Sequence, residues 1–149
     1  MASSLKVSGN GLKALQDRLA KLKSGKSLKV GIVESATYPD GTSVAMVAAA
    51  NEFGNPANNQ PPRPFMRNTI ERKSGEWGDT LENAINHTGG DMRTALALLG
   101  EKMTGDIKEE INTLTEPALA ESTIKAKGFD KPLIHTGFMR DRIDYKVDE

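Results

Sequence analysis

Side chains that commonly carry out chemistry are scarce in this sequence. It contains no cysteine and two histidines, His87 and His135, which lie far apart along the chain. Metal sites need several ligands at short spacings, and nucleophilic catalysis needs a base beside the nucleophile. The sequence also lacks a phosphate-binding loop, a nucleophile elbow and a zinc-protease helix. We therefore predict that the chain is not an enzyme and has no metal or cofactor site.

Four lysines follow one another at short intervals near the N-terminus: Lys21, Lys23, Lys26 and Lys29. They could contact nucleic-acid phosphates, but no aromatic residues alternate with them as stacking platforms for bases. A solvated helix end is the simpler interpretation. A nucleic-acid-binding module stays a rival hypothesis, and it predicts an affinity for DNA that falls steeply as the salt concentration rises.

One stretch of the chain has the residue types of a protein-binding surface. Its members are Asn51, Glu52, Phe53 and Gly54, then Pro61, Pro62, Arg63, Pro64 and Phe65, and finally Arg67. A stiff proline segment loses little conformational entropy on docking, and phenylalanine and arginine can hold protein interfaces together. A second interpretation is that Pro64 begins a helix and Phe65 enters the core of its own chain. The two interpretations are compatible for different residues.

Length and composition limit the class of protein. The chain has 149 residues, of which 37% are hydrophobic and 5% aromatic. We expect a single domain over residues 1–149, with a modest core that benefits from oligomerisation. The longest apolar run, Val44–Ala50, is far shorter than the roughly 20 residues that cross a bilayer. Because the N-terminus also lacks the apolar stretch of a signal peptide, we expect no membrane association and synthesis in the cytoplasm.

Charge is divided unevenly along the chain. Residues 1–75 contain 11 basic and 5 acidic side chains, whereas residues 76–149 contain 9 basic and 15 acidic ones. The net charge is zero, and the two halves carry +6 and −6. Copies that pack head to tail in a ring would bring opposite charges together, although a solvated surface of mixed charge is the more ordinary explanation.

The spacing of hydrophobic residues predicts the helices and strands before and around the stretch from Asn51 to Arg67. A helix with one buried stripe, packed on a sheet, is predicted by four leucines: Leu12, Leu15, Leu19 and Leu22. A strand is predicted by the alternation of Leu28, Val30 and Ile32. An alanine-rich helix should begin after a cap at Thr42 or Ser43 and end at Gly54. The proline-rich segment 55–64 should be an exposed loop, neither helix nor interior strand.

The second half of the chain is predicted to be mainly helical. Pro64 suits the first turn of a helix, which we expect to bend or break near Gly75 and Gly78. A continuous apolar stripe predicts the longest helix, at about 91–114. A short helix or arm over 119–127 and one helical turn at 136–141 follow, before a strand in which Ile143, Tyr145 and Val147 alternate with charged residues. The predicted strand content is small, with three or four short segments.

Several motifs follow one another in order between residues 28 and 147. They are Ala50-Asn-Glu-Phe-Gly54, Pro62-Arg-Pro-Phe-Met-Arg67, the long amphipathic helix, the segment from Pro117 to Lys125, Leu133-Ile-His-Thr-Gly-Phe-Met139 and Ile143-Asp-Tyr-Lys-Val147. Their combination resembles the neck or tail-completion proteins of tailed bacteriophages. Proteins of this family are small virion components that assemble where the head connector meets the tail, usually as rings, without catalytic activity.

The resemblance implies a structural virion protein with an α+β fold, in which helices cover a small, mainly antiparallel sheet. It implies a homo-oligomeric ring at the neck that completes the tail and joins it to the head. The expected partners are head-connector or stopper proteins and tail-tube or tail-terminator proteins, and a passing contact with DNA in the lumen stays open. A tail terminator that caps the tail tube is the alternative within this class.

The resemblance also suggests roles for individual residues. The family's Arg-Pro-Phe motif matches Arg63, Pro64 and Phe65, and its Thr-Gly-x-Met motif matches Thr136, Gly137 and Met139. By this resemblance Pro64 begins a helix, Phe65 fixes it to the sheet and Gly137 allows a tight turn before the last strand. Three arginines are then expected to be free to contact neighbours, at an interface shared with Asn51, Glu52, Phe53, Pro61 and Pro62: Arg63, Arg67 and Arg140.

Overall fold

Helices form most of the described chain, and a short antiparallel sheet completes it. The computed structural model describes residues 9–22, 25–128, 133 and 137–149. Within these ranges the helices are α1 (Gly9–Leu22), α2 (Val44–Phe53), α3 (Phe65–His87), α4 (Met92–Thr113), α5 (Glu121–Lys127) and α6 (Phe138–Asp141), and the strands are β1 (Ser27–Ile32) and β2 (Ile143–Asp148). None of the described helices combines the length and the apolar character that crossing a bilayer requires.

The sheet joins two strands that lie far apart in the sequence. β1 and β2 pair antiparallel, with Ser27 opposite Asp148 and Ile32 opposite Ile143. Both strands pack on α4, and the predicted α+β class with helices against a small antiparallel sheet is confirmed. The expected third or fourth strand is not found in the described ranges, where further pairing is limited to isolated bridges.

Helix α4 lies at the centre of the fold, against both strands and α3. Asp91 caps its start, because its carboxylate accepts hydrogen bonds from the backbone N–H groups of Arg93 and Thr94. The helix runs from Met92 to Thr113, which confirms the prediction for 91–114. Its apolar stripe contributes to the core, which consists of Val44, Ala48, Phe65, Ile107, Ile111, Leu114, Leu133, Met139 and Ile143.

Helix α3 is continuous from Phe65 to His87, so of the predicted bend or break near its middle, the break is wrong. Gly75 and Gly78 are exposed, and each weakens the helix by about 1 kcal/mol relative to alanine. Packing against α4 outweighs this effect. Trp77, between the two glycines, is 8% exposed, and its Nε1–H donates to Asp106 Oδ2 at 2.8 Å.

Helix α1 forms where the leucine spacing predicts it, but the two leucines of its stripe whose side chains the structure describes are only half covered. Leu15 is 52% exposed and Leu19 is 47% exposed. The helix makes no extensive contact with any other described element. The expectation that this stripe packs on the sheet is therefore wrong for these two leucines, and the side chains of Leu12 and Leu22 lie outside the described ones.

Local signals define α2 and the loop that follows it. The Ser43 hydroxyl accepts a hydrogen bond from the Met46 N–H at 3.3 Å, and Gly54 ends the helix with a φ of 78°. Both predicted boundaries are confirmed. The segment 55–64 is a largely exposed loop, as predicted, although it contains one short 3-10 turn over Pro56–Asn58.

The shorter helices agree with the sequence patterns. Helix α5 occupies most of the predicted 119–127 segment and is followed by Gly128 in a left-handed conformation. Helix α6 is the predicted single turn before β2, and Gly137 precedes it with a φ of 76°. The conformation of Thr136, which was expected to contribute to this turn, lies outside the described residues.

The closest approach between α4 and the sheet occurs at Gly100. A Cβ atom at this position would lie 2.5 Å from ring atoms of Tyr145 and 3.1 Å from Leu28 Cδ1. The Tyr145 hydroxyl donates to Glu101 at 3.1 Å, which holds the ring at this place. Close packing of β2 on α4 therefore requires glycine here.

We predict that Gly100→Ala lowers the free energy of unfolding by about 1–3 kcal/mol, because the Tyr145 ring must shift to admit the methyl group. Urea unfolding followed by circular dichroism measures the change. Gly105→Ala on the same helix is the control, because Gly105 is exposed and its added Cβ would have open space around it. Alanine at 105 should raise stability by up to about 1 kcal/mol. Equal effects of the two substitutions would contradict this account.

Candidate protein-binding site

The end of α2 and the start of α3 are joined by the Glu52 carboxylate. Its oxygens accept hydrogen bonds from the backbone N–H groups of Met66 and Arg67, at 2.9 and 3.1 Å, and from Arg67 Nε at 2.9 Å. Arg67 Nη2 donates in turn to the Glu52 carbonyl oxygen at 2.7 Å. The carboxylate supplies the negative charge that a helix N-terminus favours. Because Glu52 is only 6% exposed, it serves its own chain, contrary to the expectation that it contacts a partner.

Pro64 and Phe65 lie where the sequence predicts them. Pro64 directly precedes α3, and its carbonyl oxygen accepts a hydrogen bond from the Asn68 N–H at 2.9 Å. Proline has no polar side chain, so the first N–H groups of the helix are left for the Glu52 carboxylate. Phe65 is 1% exposed and lies in the core of its own chain.

Arg63 is buried, so the expectation that it is free to contact a neighbour is wrong. Its Nε donates to the Pro117 carbonyl oxygen at 3.0 Å, and its Nη2 donates to the Ala118 carbonyl oxygen at 3.2 Å. The residue is 5% exposed, and burial lowers the pKa of its guanidinium. Arg63 therefore fastens the segment after α4 to the proline-rich loop.

Asn51 and Gly54 shape the same loop from the α2 side. The Asn51 carboxamide accepts a hydrogen bond from Gln60 Nε2 at 3.0 Å, and the Asn51 carbonyl oxygen accepts one from the Arg63 N–H at 2.6 Å. A Cβ atom on Gly54 would lie 2.8 Å from Pro62 N. The loop thus folds back closely on the end of α2, and Asn51 is half-buried beneath it.

The third predicted arginine also contacts its own chain. Arg140 Nη1 donates to Asn112 Oδ1 at 2.9 Å, and its Nε donates to Asp141 Oδ1 at 3.0 Å. About a third of the side chain is exposed, so it is not the free group that was expected. Met139, the neighbouring residue and a member of the Thr-Gly-x-Met motif, is 4% exposed and belongs to the core.

Several large side chains of α2 and α3 face solvent, and two of them, Phe53 and Arg67, contact each other. Phe53 is 69% exposed, and the Arg67 guanidinium lies over its ring at 5.3 Å from the centroid. Met46, two turns before Phe53 on α2, is 72% exposed, and Ile70, one turn after Arg67 on α3, is 50% exposed. We call Met46, Phe53, Arg67 and Ile70 the α2–α3 face. Pro61 and Pro62 are also exposed.

Two members of this face were not predicted as site residues. Met46 lies seven positions before Phe53, a spacing that places both on the same side of a helix. That signal was present, but the first seven residues of α2 are all apolar, so the pattern alone does not distinguish the buried side of the helix from its exposed side. Ile70, the other member, is 50% exposed.

A separate polar cluster links α3 to α4. Lys102 contacts Asp106 at 3.0 Å and Glu76 at 3.4 Å, and hydrogen bonding to Asp106 raises the pKa of Lys102. Glu110, 7% exposed, forms an ion pair with Arg72. These charges are neutralised between the two helices, so the cluster holds the helices together.

His87 is the exposed last residue of α3, and His135 lies outside the described residues. In the described ranges, no three His, Asp or Glu side chains are placed to hold a metal ion. No protein-family model, no curated protein and no solved structure matches the chain.

We predict that Glu52→Gln lowers the free energy of unfolding by about 1–3 kcal/mol, because the charge-assisted hydrogen bonds to α3 are weakened. Chemical denaturation measures the change. Glu109→Gln, at an exposed position of α4, makes the same chemical change and should alter stability by less than about 0.5 kcal/mol. If both variants unfold at the same denaturant concentration, the Glu52 carboxylate does not join the helices as described.

We predict that Arg63→Glu destabilises the folded subunit by about 3 kcal/mol, because a buried carboxylate would face the Pro117 and Ala118 carbonyl oxygens. Thermal unfolding measures the effect. Lys125→Glu is the matched control, since it reverses the same charge at an exposed position of α5. A fully stable Arg63→Glu subunit would show that this arginine is not needed inside the fold.

Proposed function

We propose that this protein is a structural subunit of a tailed-phage virion, which forms a ring at the neck that completes the tail and joins it to the head. Two lines of argument support the proposal. The ordered motifs resemble the neck or tail-completion proteins, and the exposed surface that includes Phe53 and Arg67 of those motifs has the chemistry of a protein interface. The α2–α3 face is the observation that carries the proposal.

The α2–α3 face is costly to leave in water. Three large apolar side chains within it are between 50% and 72% exposed: Met46, Phe53 and Ile70. Contiguous exposed apolar patches on soluble proteins commonly mark interaction sites. The charged group among them, Arg67, is held by Glu52 and stacks on Phe53. Because these contacts fix the face before binding, a partner would order few side chains there.

The uneven distribution of charge along the chain favours contacts in which two different surfaces of neighbouring copies meet. The first half of the chain carries +6 and the second half −6. A two-fold contact places the same patch against itself, whereas a head-to-tail contact can bring the basic and acidic regions together. Head-to-tail contacts close into rings when the rotation between copies allows it.

Purified protein tests the proposal directly. We expect sedimentation velocity and native mass spectrometry to show an oligomer that grows with concentration, and electron microscopy to show rings. We also expect electron microscopy of purified particles to place the chain at the head–tail junction. A subunit that stays monomeric at every concentration and is absent from virions would overturn the proposal.

Phage particles assembled without the protein distinguish a neck protein from a tail terminator. For a neck protein, we expect phage particles assembled without it to consist of filled heads and unattached tails of normal length. Tail tubes of uncontrolled length would instead identify a tail terminator. Electron micrographs of the lysate give tail length and attachment in one measurement.

We predict that Phe53→Asp leaves the subunit folded but weakens self-association at least about tenfold, which corresponds to roughly 1.4 kcal/mol of binding free energy. Sedimentation equilibrium measures the association constant, and circular dichroism checks the fold. Leu98→Asp is the matched control, because Leu98 is a 45% exposed leucine on α4, outside the α2–α3 face. Equal association of Phe53→Asp and the unaltered protein would exclude this face from the contact.

A further inference from the structure

A cavity of about 550 Å³ lies between the proline-rich loop and the segment that leads into α5. Polar side chains of the loop form one wall, among them Asn58, Asn59 and Gln60. Residues of the segment 118–123 form the opposite wall, and Arg63 also lines the cavity. Among the described residues that surround this space, Arg63 is the only one with a charged side chain. The cavity is therefore polar and carries a positive charge.

The charge of Arg63 is not balanced by an acidic side chain. The residue is 5% exposed, and its Nε and Nη2 donate to the carbonyl oxygens of Pro117 and Ala118. A guanidinium has five N–H donors, so these two hydrogen bonds leave others without a protein acceptor in the described part of the chain. No described carboxylate pairs with it, and burial alone lowers the pKa of the group. A buried cation without a counter-charge is costly, and a bound anion would reduce that cost.

Hydrogen bonds within the chain hold the loop wall in place. The backbones of Asn55 and Gln60 exchange two hydrogen bonds, at 2.8 and 3.0 Å. Gln60 Nε2 donates to Asn51 Oδ1 at 3.0 Å, and the Asn59 N–H donates to the Pro56 carbonyl oxygen at 3.2 Å. Because these contacts form without a ligand, binding would order little of the loop.

Neutral donors accompany the guanidinium. Asn58 and Asn59 are exposed, and their carboxamide groups make no hydrogen bond to the residues that the structure describes. Primary amides donate through their NH₂ groups, and the planar fork of arginine matches the two oxygens of a carboxylate. The cavity therefore combines one cation with amides that can donate to the same anion.

The net charge of the cavity favours a carboxylate over a phosphate group. A phosphate group carries close to two negative charges at neutral pH, whereas a carboxylate carries one. Arg63 supplies a single positive charge, and the other residues that line the cavity are neutral. A carboxylate would be neutralised there, whereas a phosphate would leave an uncompensated negative charge.

We propose that this cavity binds one carboxylate group, which Arg63 contacts as the cation and to which Asn58 and Asn59 donate as neutral groups. The carboxylate belongs either to a small molecule or to an acidic side chain of another protein, and the chemistry of recognition is the same for both. This inference goes beyond the proposed function and uses no residue of the α2–α3 face.

Nuclear magnetic resonance of the full-length, ¹⁵N-labelled chain tests the site. Sodium acetate represents a small carboxylate, and glutamate blocked at both its amino and its carboxyl end represents an acidic side chain. Each replaces sodium chloride at constant pH and ionic strength. We expect saturable shifts of the backbone amide signals of residues 58–60 and of the Arg63 Nε–H signal. Inorganic phosphate should bind more weakly than acetate.

An asparagine variant keeps the test independent of the structural role of Arg63, whose replacement by glutamate is expected to destabilise the fold. Asn59→Asp places a negative charge in the cavity, where it competes for Arg63 and repels a carboxylate ligand. We expect it to lower the affinity for acetate at least about tenfold, because like charges that share a site repel each other strongly. Asn83→Asp makes the same chemical change at an exposed position of α3 and is the matched control. It should change the affinity by less than about twofold, because charges more than a Debye length apart are largely screened.

The outcomes separate the sources of the carboxylate from failure of the site. Tighter binding of blocked glutamate than of acetate would assign the site to a side chain of another protein, and the reverse would assign it to a small molecule. The inference is overturned if neither probe gives saturable shifts, if both variants lose affinity equally, or if phosphate binds more tightly than acetate. The ring proposal would be unaffected, because it is tested by sedimentation and electron microscopy.

Discussion

The buried carboxylate of Glu52 holds α2 and α3 in one arrangement, and the exposed surface beside it depends on that arrangement. It accepts the first hydrogen bonds of α3, which begins after a proline without a polar side chain of its own. Through the same contact it fixes Arg67, whose guanidinium lies over the Phe53 ring. A buried acid in one helix therefore orients an exposed aromatic ring at the end of that helix.

Sequence patterns predicted the features that depend on neighbouring residues. The caps at Ser43 and Asp91 use side chains that bond to N–H groups two or three residues later, so the chain itself contains both partners. Alternation in β1 and β2 and the long stripe of α4 reflect the regular geometry of strands and helices. Phe65 was open to two interpretations, and its burial agrees with the one that places it in the core.

The features that local sequence patterns did not predict depend on contacts between segments that lie far apart in the sequence. An arginine among prolines gives the same sequence pattern whether its side chain faces solvent or buried carbonyl groups. The hydrogen-bond acceptors of Arg63 are the carbonyl oxygens of Pro117 and Ala118, more than fifty residues away in the sequence. The glycines of α3 weaken it locally, yet Trp77 and its bond to Asp106 keep the helix continuous. The same limit applies to α2, because its first seven residues are all apolar and do not indicate which side chains, Met46 among them, remain in water.

The antiparallel sheet has a consequence for how the molecule is made. Each residue of β1 pairs with a residue of β2 that lies more than a hundred positions later. On the ribosome β1 emerges early and finds no partner until α4 and β2 have followed it, and closing so long a loop is slow compared with forming a helix. During synthesis α4 can therefore form before the strands close over it, and the early strand stays open to chaperones or to other nascent copies until its partner is translated.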